Sequence, residues 1–117
     1  MATELEGNLP LQRFIQLLAE LNHQSAEMIK TGDMEILTKM NSTVEEMRAI
    51  QSKGTEDAFT AIDEDMQAIC MNFNATVAMV NSNEKGKTDA ATATAVKKFV
   101  HNIFDATVRI VYAYGLA

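Results

Sequence analysis

The feature that most constrains this chain is the apolar pattern of residues 96–114. Apolar side chains recur there at every third or fourth position, which is the spacing of one side of an α-helix and not the alternation of a β-strand. That side covers about half of the helix circumference, more than the ~100° stripe of an ordinary surface helix. One neighbouring helix cannot cover it, so the pattern predicts a helix that packs against several others in an all-α bundle. The side consists of Val96, Phe99, Val100, Ile103, Phe104, Thr107, Val108, Ile110, Val111 and Tyr114.

Three further helices are predicted before this one, at about residues 9–30, 34–52 and 56–80. Gly32 followed by Asp33, and Gly54 followed by Thr55, are typical of a helix that stops and a new helix that starts. The polar residues 81–87 predict the one longer loop, and Gly115 ends the last helix. Short joints make consecutive helices antiparallel neighbours. The sequence therefore predicts an up-down-up-down antiparallel four-helix bundle, as a single domain over residues 1–117.

A second architecture stays open at Gly54. One glycine inside a helix costs only ~1 kcal/mol, so a continuous helix through this position is possible. Residues 33–81 would then form one long rod, and the chain would be a three-helix unit. Such a unit must dimerise to cover its apolar seams.

Composition limits the classes of function. The chain carries a formal net charge of −6, which argues against a nucleic-acid partner because phosphates require a basic face. Its single cysteine, Cys70, excludes an internal disulfide and fits a reducing compartment. No secretory signal and no uncharged stretch of 18 residues is visible, so we expect a cytoplasmic protein without a membrane span.

The two histidines do not indicate a catalytic or metal site. Glu20 and His23 have the i, i+3 spacing of di-iron bundles, but they fall on the polar side of the first predicted helix. His101 has no glutamate three residues before it, and Asp105 and Arg109 beside it are interpreted as a surface ion pair of little energetic value. We expect no catalytic residue, no metal ligand and no cofactor, and we interpret the protein as non-enzymatic.

Two other features point to protein binding. Residues 55–83 contain five acidic and no basic side chains, a strip that either attracts the more basic last helix or meets a basic partner. Two of the eight methionines lie off the apolar seam of the third predicted helix, where flexible side chains suit adaptable contacts. Together with the end of the last helix, these features nominate as partner-binding residues Asp63, Glu64, Met71, Met79, Val108, Val111, Tyr112 and Tyr114.

The sequence therefore predicts a helical interaction or assembly protein, such as a small acidic secretion chaperone, an adaptor or an immunity-type protein. The broad apolar side of the last helix also predicts self-association as a homodimer. Two alternatives remain: a bundle that binds a metal or a small molecule in its core, and a structural subunit that polymerises.

Overall fold

In a computed structural model of the protein, residues 9–33, 35–53, 57–82 and 90–114 are described. These residues form five α-helices and no β-strand, which confirms the all-α class. The helices are α1 (Leu9–Thr31), α2 (Glu35–Lys53), α3 (Asp57–Ala61), α4 (Asp63–Ser82) and α5 (Ala90–Ala113).

The four long helices pack as a bundle. Helix α1 lies between α2 and α5, and α5 also packs along α4. Helices α2 and α4 approach each other less extensively, and they complete a ring in the order α1, α2, α4, α5. The predicted helical bundle is confirmed, whereas the full up-down-up-down order of directions stays a prediction.

The alternative with one rod over residues 33–81 is wrong. Gln51 Nε2 donates a hydrogen bond of 3.3 Å to Asp63 Oδ1. In a continuous helix, residues 12 positions apart are separated by about 18 Å, too far for these side chains to meet. The chain therefore turns back between α2 and α4. Gly54 itself lies outside the described residues, as do Thr55, Gly115 and residues 83–87 of the predicted loop.

The turn between α1 and α2 has the predicted geometry. Gly32 adopts a φ of 70°, in the left-handed region, and its N–H donates to the Met28 carbonyl at 2.8 Å. The Asp33 carboxylate accepts a hydrogen bond of 3.0 Å from the Glu35 N–H, at the start of α2. Glycine thus ends the first helix and aspartate caps the second.

The third predicted helix is divided in two at Ile62, between α3 and α4. The Ile62 N–H donates to the Phe59 carbonyl, three residues back, at 3.4 Å. The Met66 N–H then donates to the Ile62 carbonyl at 2.9 Å. Phe59, Ile62 and Met66 are all buried and keep helical spacing, so the apolar pattern does not reveal the break.

Most of the predicted apolar faces form one core. Phe14 of α1 meets Phe59 edge to face, with ring centroids 5.4 Å apart, so α3 is anchored to the opposite side of the bundle. On the broad side of α5, Phe99, Phe104, Val108 and Val111 are only half-buried, and the other predicted members are buried.

Several hydroxyl groups share this core. Each donates to a backbone carbonyl three or four residues earlier, which removes the cost of burying a polar group. Among the described residues, no buried side-chain nitrogen or oxygen lacks a hydrogen-bond partner. The four residues are Ser25, Thr43, Thr76 and Thr107. Of these, the sequence analysis expected only Thr107 to be buried.

Leu21→Ala tests whether the core on α1 determines stability. Leu21 is fully buried, so its truncation leaves a cavity and we expect a loss of roughly 2–5 kcal/mol in the free energy of unfolding. Ile15→Ala is the matched control on the same helix, because Ile15 is half-buried and its truncation costs roughly 1 kcal/mol. Denaturant unfolding followed by circular dichroism measures both losses, and equal losses would contradict the described core.

Candidate functional site

An open groove lies between the end of α2, helix α3 and the start of α4. Its volume is about 830 Å³, and we call it the acidic groove because three consecutive carboxylates line it. The lining residues are Arg48, Gln51, Ser52, Phe59, Thr60, Ala61, Asp63, Glu64, Asp65, Met66, Gln67 and Cys70.

The three carboxylates occupy the first turn of α4, where the helix dipole favours negative charge. Gln51 Nε2 donates to Asp63 Oδ1 at 3.3 Å and Gln67 Nε2 donates to Asp63 Oδ2 at 2.8 Å, so two amides fix the direction of this carboxylate. Glu64 is exposed, and no ion pair formed among the described residues includes it. The groove therefore presents one oriented and one freely accessible negative charge.

Asp65 has a structural partner. Arg109 Nε of α5 donates to Asp65 Oδ1 at 2.7 Å, in a pair whose aspartate side chain is only 24% exposed. The predicted Asp105–Arg109 pair is not formed, because Arg109 reaches across to α4. Asp105 lies instead 3.4 Å from His101 Nδ1, one turn earlier on α5. Part of the acidic strip thus serves the attraction between α4 and α5.

Cys70 lies at the edge of the groove and is half-buried. Burial raises the pKa of its thiol, and the nearby positive charge of Arg48 lowers that pKa by a smaller amount. At neutral pH the thiol is protonated, and a protonated thiol is a poor nucleophile. The groove as described suits binding better than covalent chemistry.

The residues nominated from the sequence do not meet in one place. Asp63 and Glu64 lie in the acidic groove, and Met71 is 70% exposed on the outer side of α4. Tyr112 is 68% exposed on α5, whereas Tyr114 is 5% exposed and belongs to the core. A partner on the surface cannot reach Tyr114. The remaining nominated residues are half-buried: Met79, Val108 and Val111.

The sequence analysis missed the groove residues on α2. Arg48 and Gln51 lie at the end of α2. The groove residues of α4 that they meet are 12 or more positions later in the chain. Only the turn signal at Gly54 pointed in this direction, since it brings these two helix ends together. The amide partners of Asp63 had no signal of their own.

Glu20 and His23 line a shallow surface depression of about 440 Å³ with Ala19 and Gln24. Across the described part of the chain, no group of three or more histidine, cysteine, aspartate or glutamate side chains is placed to hold a metal ion. None of the helices in that part has the length and apolar character that crossing a membrane requires.

Comparison with known proteins leaves the groove to be interpreted from its own chemistry. No family model, no curated protein and no solved structure matches the chain.

The burial of Tyr114 predicts that its phenol ionises at a higher pH than an exposed tyrosine does. Removal from water raises the pKa of Tyr114 to about 12, against an ordinary value of 10.0. A raised folded pKa means that stability is intact below pH 10 and is lost as the pH rises from 10 to 12. In Tyr112→Phe, where Tyr114 is the remaining tyrosine, phenolate absorbance should report a midpoint about 12.

Tyr114→Phe is the matched control for stability, because phenylalanine cannot ionise. Denaturant unfolding between pH 10 and 12 should depend less on pH in this variant than in the unmodified protein. A Tyr114 midpoint near pH 10, with the helical circular dichroism intact, would contradict the buried position.

Proposed function

We propose that the protein is a non-enzymatic helical interaction protein whose acidic groove binds a basic, amphipathic helical segment of a protein partner. The observation that carries the proposal is the set of carboxylates at the start of α4, in an open groove at the end of the bundle. Helix-in-groove binding is a common mode of peptide recognition.

The lining of the groove favours a charged partner over a small apolar ligand. Small-molecule pockets are lined predominantly by apolar side chains with a few polar groups. Here three carboxylates, two amides and Arg48 supply half of the lining residues. A cationic segment gains from these charges both in its rate of association and in its choice of orientation.

The carboxylate of Asp63 in the groove is also preorganised for binding. Asp63 is held by Gln51 and Gln67, so its carboxylate needs no reorganisation when a lysine or arginine arrives. Phe59 and Met66 are almost fully buried beneath the groove and keep its base in place. Glu64 remains exposed and able to follow a flexible basic side chain.

The proposal keeps the classes predicted from the sequence, which are a small acidic secretion chaperone, an adaptor or an immunity-type protein. It includes self-association as a homodimer, because a half-buried apolar strip on α5 and the exposed Met71 are available for contact. It also includes a cytoplasmic location, in keeping with a single free cysteine.

A designed helical peptide with leucines on one side and lysines on the other is a direct probe. Titration calorimetry should detect binding that weakens as ionic strength rises, because salt screens the charges. The double variant Asp63→Asn with Glu64→Gln should bind the peptide roughly tenfold more weakly, at the upper range for two partly exposed charge pairs.

Glu20→Gln is the matched control, since Glu20 is exposed on α1 and lies outside the groove. Its affinity for the peptide should stay close to that of the unmodified protein. A loss as large as that of the groove variant would mean that net charge alone attracts the peptide, and no binding at all would overturn the proposal.

A further inference from the structure

The three arginines of the chain differ in what they contact. Arg13 of α1 is held by Glu46 of α2 at 2.7 Å, and Arg109 of α5 is held by Asp65 of α4 at the same distance. Arg48 of α2 is exposed and belongs to no ion pair in the described part of the chain. It is also the single basic residue among those that line the acidic groove.

Arg48 is directed into the groove from the α2 side. Glu45 lies three positions earlier on α2, at a spacing that permits an ion pair, yet no such pair joins the two side chains in the structure as described. Instead, the positive charge of Arg48 is close enough to lower the pKa of the Cys70 thiol on the opposite wall. The guanidinium therefore lies on the groove side of α2.

The positive and negative charges of the groove lie on opposite walls and at different depths. Gln51 of α2 meets Asp63 of α4 at 3.3 Å, which places these two residues at the same level. Arg48 lies three positions before Gln51 on the same side of α2, or about 4.5 Å further from the end of the bundle. The positive charge on the α2 wall is thus about one helical turn deeper than Asp63 and Glu64 on the α4 wall.

The groove runs along α4 for about two turns. Its lining on that helix extends from Asp63 to Cys70, seven positions or about 10 Å. A helix laid along it presents one edge of its polar side to α4 and the other edge to α2. A lysine is attracted at the α4 edge and repelled by Arg48 at the α2 edge, where a carboxylate is attracted instead.

We propose that the partner segment of the acidic groove is not uniformly basic but carries one acidic residue that pairs with Arg48. A lysine or arginine of the segment faces Asp63 and Glu64, and a glutamate or aspartate about one turn away faces Arg48. Arg48 is then the residue that determines specificity, because it rejects a lysine at that edge and fixes the orientation of the segment. This inference rests on the proposed function and adds the acidic residue to it.

A simpler role for Arg48 makes the opposite prediction. If Arg48 only offsets the repulsion between the carboxylates of the groove, an acidic residue in the partner gains nothing from it. Every exchange of a lysine for a glutamate in the peptide then weakens binding, wherever it lies. The two roles differ in the sign of one measured effect.

A glutamate scan of the leucine–lysine peptide measures that sign. Each lysine is replaced in turn by glutamate, and titration calorimetry gives the affinity of each peptide for the unmodified protein. One replacement, at the edge that faces α2, should tighten binding roughly two- to fivefold, the range of a single exposed ion pair. Replacements at the edge that faces α4 should weaken it.

Arg48→Glu should reverse the preference. This variant should bind the parent peptide more tightly than the unmodified protein does, and the selected glutamate peptide more weakly. Lys39→Glu is the matched control, because it makes the same change of charge at an exposed position of α2 outside the groove. It should alter the affinity for both peptides by a similar factor and keep the preference for the glutamate peptide.

Cys70 reports where the peptide binds. It is the single cysteine of the chain and lies at the edge of the groove, so a peptide bound there should slow its alkylation by iodoacetamide. The ratio of the rates with and without the glutamate peptide should be larger for the unmodified protein than for Arg48→Glu at the same peptide concentration. Tight binding that leaves the rate unchanged would place the peptide elsewhere and reject the groove.

The inference can fail while the proposed function holds. If every glutamate replacement weakens binding, or if Arg48→Glu keeps the preference of the unmodified protein, the role of Arg48 is overturned. Binding of the parent peptide that still depends on Asp63 and Glu64 would then leave the groove proposal intact. If no peptide of the scan binds at all, the proposed function falls and the inference falls with it.

Discussion

The burial of α5 against two neighbours at once is the constraint on which the rest of the structure depends. Val100, Ile103, Ala106 and Ile110 are fully buried, and each large aliphatic side chain among them contributes about 1.5–3 kcal/mol by leaving water. Helix α5 packs along both α1 and α4, whereas α2 and α4 contact each other little. The helix pair α1–α2 is therefore joined to α4 mainly through α5.

This unequal ring explains where the acidic groove lies. The α2–α4 side is the least packed, and the groove opens on that side, at the end of α2 and the start of α4. Gln51 and Asp63 cross this gap with a single hydrogen bond. A helix bound in the groove would add contacts on the side of the bundle that has the fewest, so binding and local stabilisation would be coupled there.

The periodicity of apolar residues predicted the helices and most of the core, because local spacing decides which side of a helix is buried. Gly32 and Asp33 predicted their turn for the same reason, since a left-handed glycine and a capping aspartate act within a few residues.

The groove carboxylates could be nominated from charge alone, but the amides that orient Asp63 could not be identified before the chain reversal between α2 and α4 was known. The break at Ile62 and the pairing of Arg109 across to α4 likewise depend on distant contacts. The burial of the threonines could not be predicted for a different reason. The hydroxyl of each donates to a backbone carbonyl one turn earlier, so helical spacing alone does not say whether a threonine is buried or exposed.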